Sequence, residues 1–171
     1  MLQLQAALFY MIVFFQKGFN KMFKNLYEEK PKKVLITQEK IFQRIQELGK
    51  VITTDYQNCE LKLIVILKGA MVFGADLIRA ISLPITIDFM VVSSYEDGTE
   101  SSGKIKILKD LDESIEGIHV LIVEDIIDTG FTLEYIIKNL KDRNPASLKI
   151  CVLLDRPARR RFNFILDYKG F

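Results

Sequence analysis

An α/β fold, with a central parallel sheet flanked by helices, is what this sequence predicts. Runs rich in β-branched and aliphatic residues, such as the continuous run 120–123 and the run 61–67 with its single lysine, are typical of strands buried on both faces of a parallel sheet. Segments with apolar residues at helical spacing alternate with these runs, and this order favours parallel strands joined by helices. The length of 171 residues and the hydrophobic content of 49% fit one such domain with a sizeable core.

The predicted elements follow one another from residue 34 onward. A short strand is predicted over 34–36. Thr37 is then predicted to cap a helix that carries Ile41, Ile45 and Leu48 on one face. Further strands are predicted at 61–67, 86–93, 104–108, 120–123 and 148–154, and further helices at 69–81 and 132–142.

Residues 1–30 fit this pattern poorly. We interpret them as an apolar and basic extension outside a domain that spans 31–171. The apolar run 6–15 is shorter than the ~20 residues that a membrane-spanning helix needs, so we expect no stable membrane insertion. It also lacks the features of a secretory signal, while an interfacial anchor is an alternative. Our hypothesis is an upstream translation start, with Met22 as the natural beginning; N-terminal sequencing that found Met1 in the natural product would overturn it.

The composition argues against some classes of function. A net charge of +2 without a long basic arm gives no reason to expect a nucleic-acid partner. Cys59 and Cys151 lie far apart and have no metal-ligand spacing, which indicates a reducing compartment, and we expect a cytoplasmic protein. Cys151 is expected to be a core thiol. His119 stands alone at the start of a strand, where we expect a surface role rather than a catalytic one.

Acidic residues cluster where the strand at 120–123 is expected to end. Glu124 and Asp125 follow that strand directly, and Asp128 comes three residues later. Ligands of open α/β sheets bind at the carboxyl ends of the strands. Three carboxylates this close repel one another, so they favour a divalent cation, a sugar diol or a shared proton as a ligand.

The next four residues, Thr129-Gly130-Phe131-Thr132, lead into the predicted helix at 132–142. Backbone N–H groups and two hydroxyls at a helix N-terminus favour a phosphate, so the whole segment indicates a phosphorylated sugar. One alternative is a polar turn in which Thr129 or Thr132 only caps the helix. Another is an aspartic protease, since Asp-Thr-Gly is its core tripeptide, but a helix follows here instead of an all-β setting.

A second candidate site lies between the strand at 61–67 and the helix that follows it. Gly69 lets the backbone approach a ligand closely at the same end of the sheet as the acids. An ordinary strand-to-helix turn is the alternative. The polar stretch 94–103 predicts a mobile loop that either acts as a lid or is a solvated linker.

Residues 120–132 resemble the phosphoribosyl-pyrophosphate motif of the type I phosphoribosyltransferase family, which has four hydrophobic residues, Glu-Asp, two more hydrophobic residues and Asp-Thr-Gly-x-Thr. An acid at Asp128 fits the branch of the family that acts on 6-oxopurines. The resemblance extends over about 33–171 and includes 65–70, 92–95 and 107–110.

The resemblance implies the family's fold, with a small hood beside the sheet, and its reaction. A 5-phosphoribosyl group would pass from phosphoribosyl pyrophosphate to N9 of hypoxanthine or guanine. The products would be IMP or GMP and pyrophosphate, in purine salvage. The resemblance also implies Mg²⁺ as cofactor and a homodimer or homotetramer.

The resemblance further implies roles for individual residues. Glu124 and Asp125 would hold the ribose hydroxyls directly or through Mg²⁺, and Asp128 would be the general base for the purine. The 5'-phosphate would lie on residues 128–132, that is Asp128, Thr129, Gly130, Phe131 and Thr132. Pyrophosphate would contact Lys68 and Gly69, after a non-proline cis peptide, with Ser94 and Tyr95 closing over it. The purine would meet Ile126 and Arg156.

Two departures from the family pattern concern the purine. Arg156 stands where the family usually has lysine, and the arginine-rich run 156–161 either binds anions or forms a solvated face. The family also continues past Phe171 with an aromatic residue, an aspartate and an arginine that serve the site. We therefore expect a carboxyl end lost by frameshift, premature stop or gene-model error, with an incomplete hood. A non-catalytic sugar-phosphate-binding regulator and an inactive remnant remain alternatives.

Overall fold

A computed structural model describes residues 34–94 and 105–171 of this protein. The predicted extension at 1–30 lies outside the described residues, and so does the predicted loop from Tyr95 to its end. The strand predicted at 34–36 is wrong, because these residues are irregular and lead directly into the first helix. Three apolar residues do not form a strand without a neighbouring strand to take their backbone hydrogen bonds.

Six strands and three α-helices make up the described fold. The helices are α1 (Gln38–Asp55), α2 (Met71–Ala80) and α3 (Phe131–Lys141), and a short 3₁₀ helix covers Pro157–Arg159. The strands are β1 (Leu61–Leu67), β2 (Ile85–Ser94), β3 (Ile105–Lys109), β4 (His119–Ile127), β5 (Ser147–Asp155) and β6 (Tyr168–Lys169). The predicted helices and the other predicted strands are confirmed, with β4 reaching four residues further than expected.

The sheet has the order β3-β2-β1-β4-β5-β6. All neighbouring strands are parallel except β2 and β3, which pair antiparallel at one edge. The α/β fold class is therefore confirmed, with a mixed rather than a purely parallel sheet. We call the side on which β1, β4 and β5 finish the carboxyl end of the sheet, and the opposite side the amino end.

Helices cover both faces of the sheet. On one face, α1 and α2 bury residues such as Ile45 and Phe73 against Leu63 of β1. On the other face, Ile136 of α3 packs with Ile122 of β4. The side chain of Thr37 caps α1 as predicted, since its Oγ1 accepts a hydrogen bond from the Lys40 amide at 3.4 Å.

The two cysteines and the histidine have structural surroundings. Both cysteines are free, and Cys151 lies in the core as predicted, where burial raises the pKa of its thiol. His119 is half-buried, and its Nδ1 lies 2.8 Å from the Ser147 hydroxyl. Within residues 34–94 and 105–171, no helix is long and apolar enough to cross a membrane.

Candidate functional site

The two predicted sites lie side by side at the carboxyl end of the sheet. Asp125 of β4 is 3% exposed, and its carboxylate packs against Gly69, which follows β1. A Cβ atom on Gly69 would lie 2.6 Å from Asp125 Oδ2. Glycine therefore allows the Asp125 carboxylate to approach the backbone closely at this position, and a larger residue would displace that carboxylate. The peptide bond between Leu67 and Lys68 is cis, as the resemblance implies, and Lys68 is exposed.

Glu124 and Asp125 lie inside β4 rather than after its end. Successive side chains of a strand point to opposite faces, so the two acids do not form one three-acid cluster with Asp128. Asp125 takes the α2 side with Gly69. Burial and the neighbouring Asp125 charge raise the pKa of Glu124 well above its ordinary value of 4.5. Burial also raises the pKa of Asp125, against the opposing effect of backbone N–H groups.

One oxygen of Glu124 marks a place for a ligand. Oε2 is buried, and it has no hydrogen-bond partner among the described residues. A buried carboxylate oxygen without a partner costs free energy unless a ligand supplies one. No group of three or more His, Cys, Asp or Glu side chains in the described ranges could hold a metal ion. One carboxylate, of Glu124 or of Asp125, nevertheless fits Mg²⁺, which often binds through one or two protein carboxylates, water and substrate phosphates.

The turn after β4 leaves the start of α3 open. Gly130, not Thr129 or Thr132, is the N-cap, and it has a φ of +88° in the left-handed region. No side chain in the described part of the chain caps the helix, so its first N–H groups are available to an anion. The alternative in which a threonine only caps the helix is therefore wrong.

The arginine-rich segment after β5 supports this turn. The Arg161 amide donates to the Thr129 carbonyl at 2.9 Å. A Cβ on Gly130 would lie 2.6 Å from the ring of Phe164, which stacks on Phe162 with the ring centroids 6.0 Å apart. Sequence analysis did not identify either phenylalanine, because nothing in the local pattern shows which distant turn they meet.

Asp128 lies between the turn and two arginines. Its Oδ2 is 3.2 Å from Nη1 of Arg159, while Nη1 of Arg156 is 3.8 Å from Oδ1. Oδ1 is buried and has no hydrogen-bond partner in the described residues. The interpretation of 156–161 as a solvated face is wrong at Arg160, which is largely buried and pairs with Asp155 at the end of β5.

Other predicted residues are only partly brought to this site. Arg156 is held by its amide, which donates to the Ile127 carbonyl at 3.0 Å, and Ile126 is half-buried and pairs with Leu154 of β5. Ser94 ends β2, and Tyr95 lies outside the described residues.

Comparison with known proteins gives a consistent result. The family of phosphoribosyl transferase domains matches residues 33–171. The hypoxanthine-guanine phosphoribosyltransferase of Mycobacterium avium is 47% identical over 152 residues, which are 85% of this chain and 75% of that protein. The enzyme of the same name from Bacillus subtilis is 48% identical over 139 residues, covering 81% of this chain and 77% of that one.

Solved structures agree with these relatives. A hypoxanthine phosphoribosyltransferase from Staphylococcus aureus superposes with a TM-score of 0.80 at 45% identity, covering 89% of this chain and 80% of that chain. A Trypanosoma cruzi hypoxanthine phosphoribosyl transferase, studied for the role of its C-terminal region in oligomeric state and enzymatic activity, has a TM-score of 0.78 at 45% identity. It covers 83% of this chain and 78% of that chain.

Proposed function

Because this chain belongs to the phosphoribosyl transferase family, we propose that it is a pentosyltransferase of purine salvage. It transfers the 5-phosphoribosyl group of phosphoribosyl pyrophosphate to N9 of hypoxanthine or guanine, giving IMP or GMP and pyrophosphate. One structural observation supports the proposal independently of these relatives. Buried oxygens of Glu124 and Asp128 lack hydrogen-bond partners in the described structure, and the start of α3, which follows Asp128 in the chain, has no side-chain cap.

The sugar phosphate binds along the end of β4. The 5'-phosphate lies on the turn from Asp128 to Thr132, where free N–H groups and threonine hydroxyls donate to it. Lys68 and Gly69 hold the pyrophosphate, with Ser94 and Tyr95 as further contacts. The packing of Asp125 on Gly69 supports this arrangement, because it joins the ribose and pyrophosphate ends of the site.

Glu124 and Asp125 hold the ribose hydroxyls, directly or through Mg²⁺. The unpaired oxygen of Glu124 fits either a hydroxyl donor or a cation. When bound, the cation neutralises charge that develops on the leaving pyrophosphate. The raised pKa of Glu124 also fits a site that is completed by its ligand, since a cation favours the ionised carboxylate.

The reaction is a displacement at C1 of the ribose. The bond from C1 to the pyrophosphate oxygen breaks, the oxygen keeps the electron pair, and the sugar passes through an oxocarbenium-like state. N9 of the purine then bonds to C1. Asp128 accepts the proton from N7 of the purine as general base. Its carboxylate lies 3.8 Å from Nη1 of Arg156 and 3.2 Å from Nη1 of Arg159.

Arg156 and Ile126 contact the purine in this proposal. Arginine donates to the 6-oxo group as lysine would, but its planar, forked head reaches further than an ammonium group. Replacing Arg156 with lysine therefore tests base selectivity, through the ratio of kcat/KM for hypoxanthine and guanine.

A homodimer or homotetramer is the proposed assembly. Ile87 and Phe89 of β2 and Leu108 of β3 are 41%, 38% and 59% exposed, and neighbouring exposed apolar residues often mark an interface. Light scattering on a Leu108→Asp variant tests this: the mass should fall relative to wild type. Ile165→Asp is the control, because Ile165 is 84% exposed but lies on a separate segment. The cytoplasm is the proposed location, in keeping with two free cysteines.

Turnover by the purified chain tests the proposed function directly. Phosphoribosyl pyrophosphate and Mg²⁺ are mixed with hypoxanthine, guanine or adenine, and the products are separated by chromatography. We expect IMP and GMP and no product from adenine. Tight binding of phosphoribosyl pyrophosphate without product would instead favour a sugar-phosphate-binding regulator. Neither binding nor product would refute both.

A further inference from the structure

We infer that Arg159 positions the proposed general base, by holding one oxygen of Asp128 and leaving the other free to accept the proton. This inference rests on the proposed function, because it assigns a second residue to the same proton transfer. Arg159 does not contact the reacting atoms in this proposal and is a positioning residue.

The two oxygens of Asp128 have different surroundings. Oδ2 pairs with Nη1 of Arg159 at 3.2 Å. Oδ1 is buried without a hydrogen-bond partner in the described residues, and the 3.8 Å to Nη1 of Arg156 is too long for a hydrogen bond. Oδ1 is therefore the oxygen without a partner among the described residues, and we assign the proton from the purine to it.

The backbone on both sides of Arg159 is tied to the turn that carries Asp128. Before it, the Arg156 amide donates to the carbonyl of Ile127. After it, the Arg161 amide donates to the carbonyl of Thr129. The 3₁₀ helix Pro157–Arg159 spans the gap between these two bonds. The guanidinium of Arg159 is thus presented to Asp128 by backbone contacts rather than by the ion pair alone.

Fold stability does not explain this pair. The side chain of Arg159 is 51% exposed, and ion pairs with one such exposed partner contribute little to the stability of a fold. The pair instead fixes the orientation of the Asp128 carboxylate. Without Arg159, the carboxyl group is free to rotate and to turn Oδ1 toward Arg156. Misplacement of a catalytic group by about 1 Å can reduce a rate about 100-fold.

The proton transfer balances with Arg159 unchanged. The N7–H bond of the purine breaks and an O–H bond forms at Oδ1 of Asp128. At the same time N9 bonds to C1 of the ribose and the pyrophosphate oxygen leaves with its electron pair. Arg159 keeps its positive charge and its place on Oδ2 throughout.

A double-mutant cycle on the full chain tests the inference. Arg159→Ala should lower kcat by roughly 10- to 100-fold, with little change in the KM for phosphoribosyl pyrophosphate or in Tm. Arg159→Lys should restore part of the loss, since an ammonium group can still pair with Oδ2. In an Asp128→Asn background, Arg159→Ala should cause little further loss, because the residue acts through the carboxylate.

Arg79→Ala is the matched control. Arg79 is also an exposed arginine paired with an aspartate, Asp76, but it lies on α2 away from the site. Its loss should leave kcat unchanged. Wild-type kcat in Arg159→Ala, or a full multiplicative loss in the Asp128→Asn background, would overturn the inference alone. Absence of turnover in the wild-type chain would overturn the proposed function as well.

Discussion

Polar side chains at the amino end of the sheet pair with one another. His119 Nδ1 lies 2.8 Å from the Ser147 hydroxyl, and the Tyr168 hydroxyl donates to Asp55 at 2.7 Å. The Tyr56 hydroxyl is an exception, since it is buried without a partner in the described residues. Pairs of this kind join β4 to β5 and β6 to α1, and therefore stabilise the fold.

At the carboxyl end the same sheet leaves polar groups unpaired. One oxygen each of Glu124 and Asp128 is buried without a hydrogen bond in the described structure, and the start of α3 is uncapped. Unpaired buried groups destabilise a fold, and functional sites are where proteins tolerate them. We therefore expect substitutions of polar groups at the amino end to lower the stability of the fold, and substitutions at the carboxyl end to lower turnover.

The largest expected effect is on turnover, from the same change made at each end. Asp128→Asn removes the proposed proton acceptor and should lower kcat by about 10²- to 10⁴-fold, while the KM for phosphoribosyl pyrophosphate changes little. Asp55→Asn at the amino end keeps an acceptor for Tyr168 and should leave kcat unchanged. Steady-state kinetics with hypoxanthine measure both. An equal loss of turnover and of sugar-phosphate binding in Asp128→Asn would contradict the role of base.

A smaller effect is expected from adding one methyl group to a turn at each end. Gly130 and Gly117 both have positive φ, at +88° and +73°, which costs an alanine about 1–2 kcal/mol. Only at Gly130 would the new Cβ also meet another side chain, that of Phe164. Gly130→Ala should therefore lower stability more than Gly117→Ala.

Gly130→Ala should also raise the KM for phosphoribosyl pyrophosphate, on the order of 10-fold, because it shifts the turn that binds the 5'-phosphate. Thermal unfolding and kinetics on both variants measure this difference. Phe164→Ala should cost less stability in the Gly130→Ala background than in the wild type, because the contact with the new Cβ is then relieved. Equal effects of the two glycine variants would show that the contact with Phe164 is unimportant.

Local sequence patterns predicted most elements of the fold. The run 61–67 predicted β1 to the residue, because a strand buried on both faces is mostly apolar and only Lys62 interrupts this run. Thr37 marked the start of α1, because capping needs only a hydroxyl and a nearby amide. The direction of β3 was not readable, since the pattern of a strand does not state which way its neighbour runs.

Local sequence patterns predicted only part of the candidate site. The acids and the turn lie in one continuous segment, so the motif identified them together. The contacts of Asp128 with Arg159 and of Gly130 with Phe164 join segments that are distant in sequence. Such contacts depend on how the segment after β5 folds back over β4, which no local pattern encodes. The prediction of a strand at 34–36 was wrong for a related reason, since these residues have no neighbouring strand to pair with.

Replacing the unpaired acid Glu124 with a neutral residue should raise the free energy of unfolding by about 1–3 kcal/mol, the usual range for a buried unsatisfied group. Because the folded pKa of Glu124 is raised, its contribution to stability is present below its ordinary pKa of 4.5 and is lost as pH rises through the raised value. Glu124→Gln should therefore match wild type near about pH 4 and be more stable near about pH 7. Thermal unfolding across pH with a metal chelator measures this. A less stable variant at neutral pH would mean that Glu124 has a partner in the apo protein.

The smallest effect is expected at the amino end, from Tyr168→Phe. This change removes the hydroxyl that donates to Asp55 but keeps the ring, which is 4% exposed and lies beneath Lys149. Lys149 also pairs with Asp55 at 3.6 Å, so the carboxylate keeps a partner, and the loss of stability should be about 1 kcal/mol. Denaturant unfolding should show that loss while kcat stays at the wild-type value. A fall in turnover without a fall in stability would mean that the two ends of the sheet are coupled. The assignment of stability to the amino end and of turnover to the carboxyl end would then be wrong.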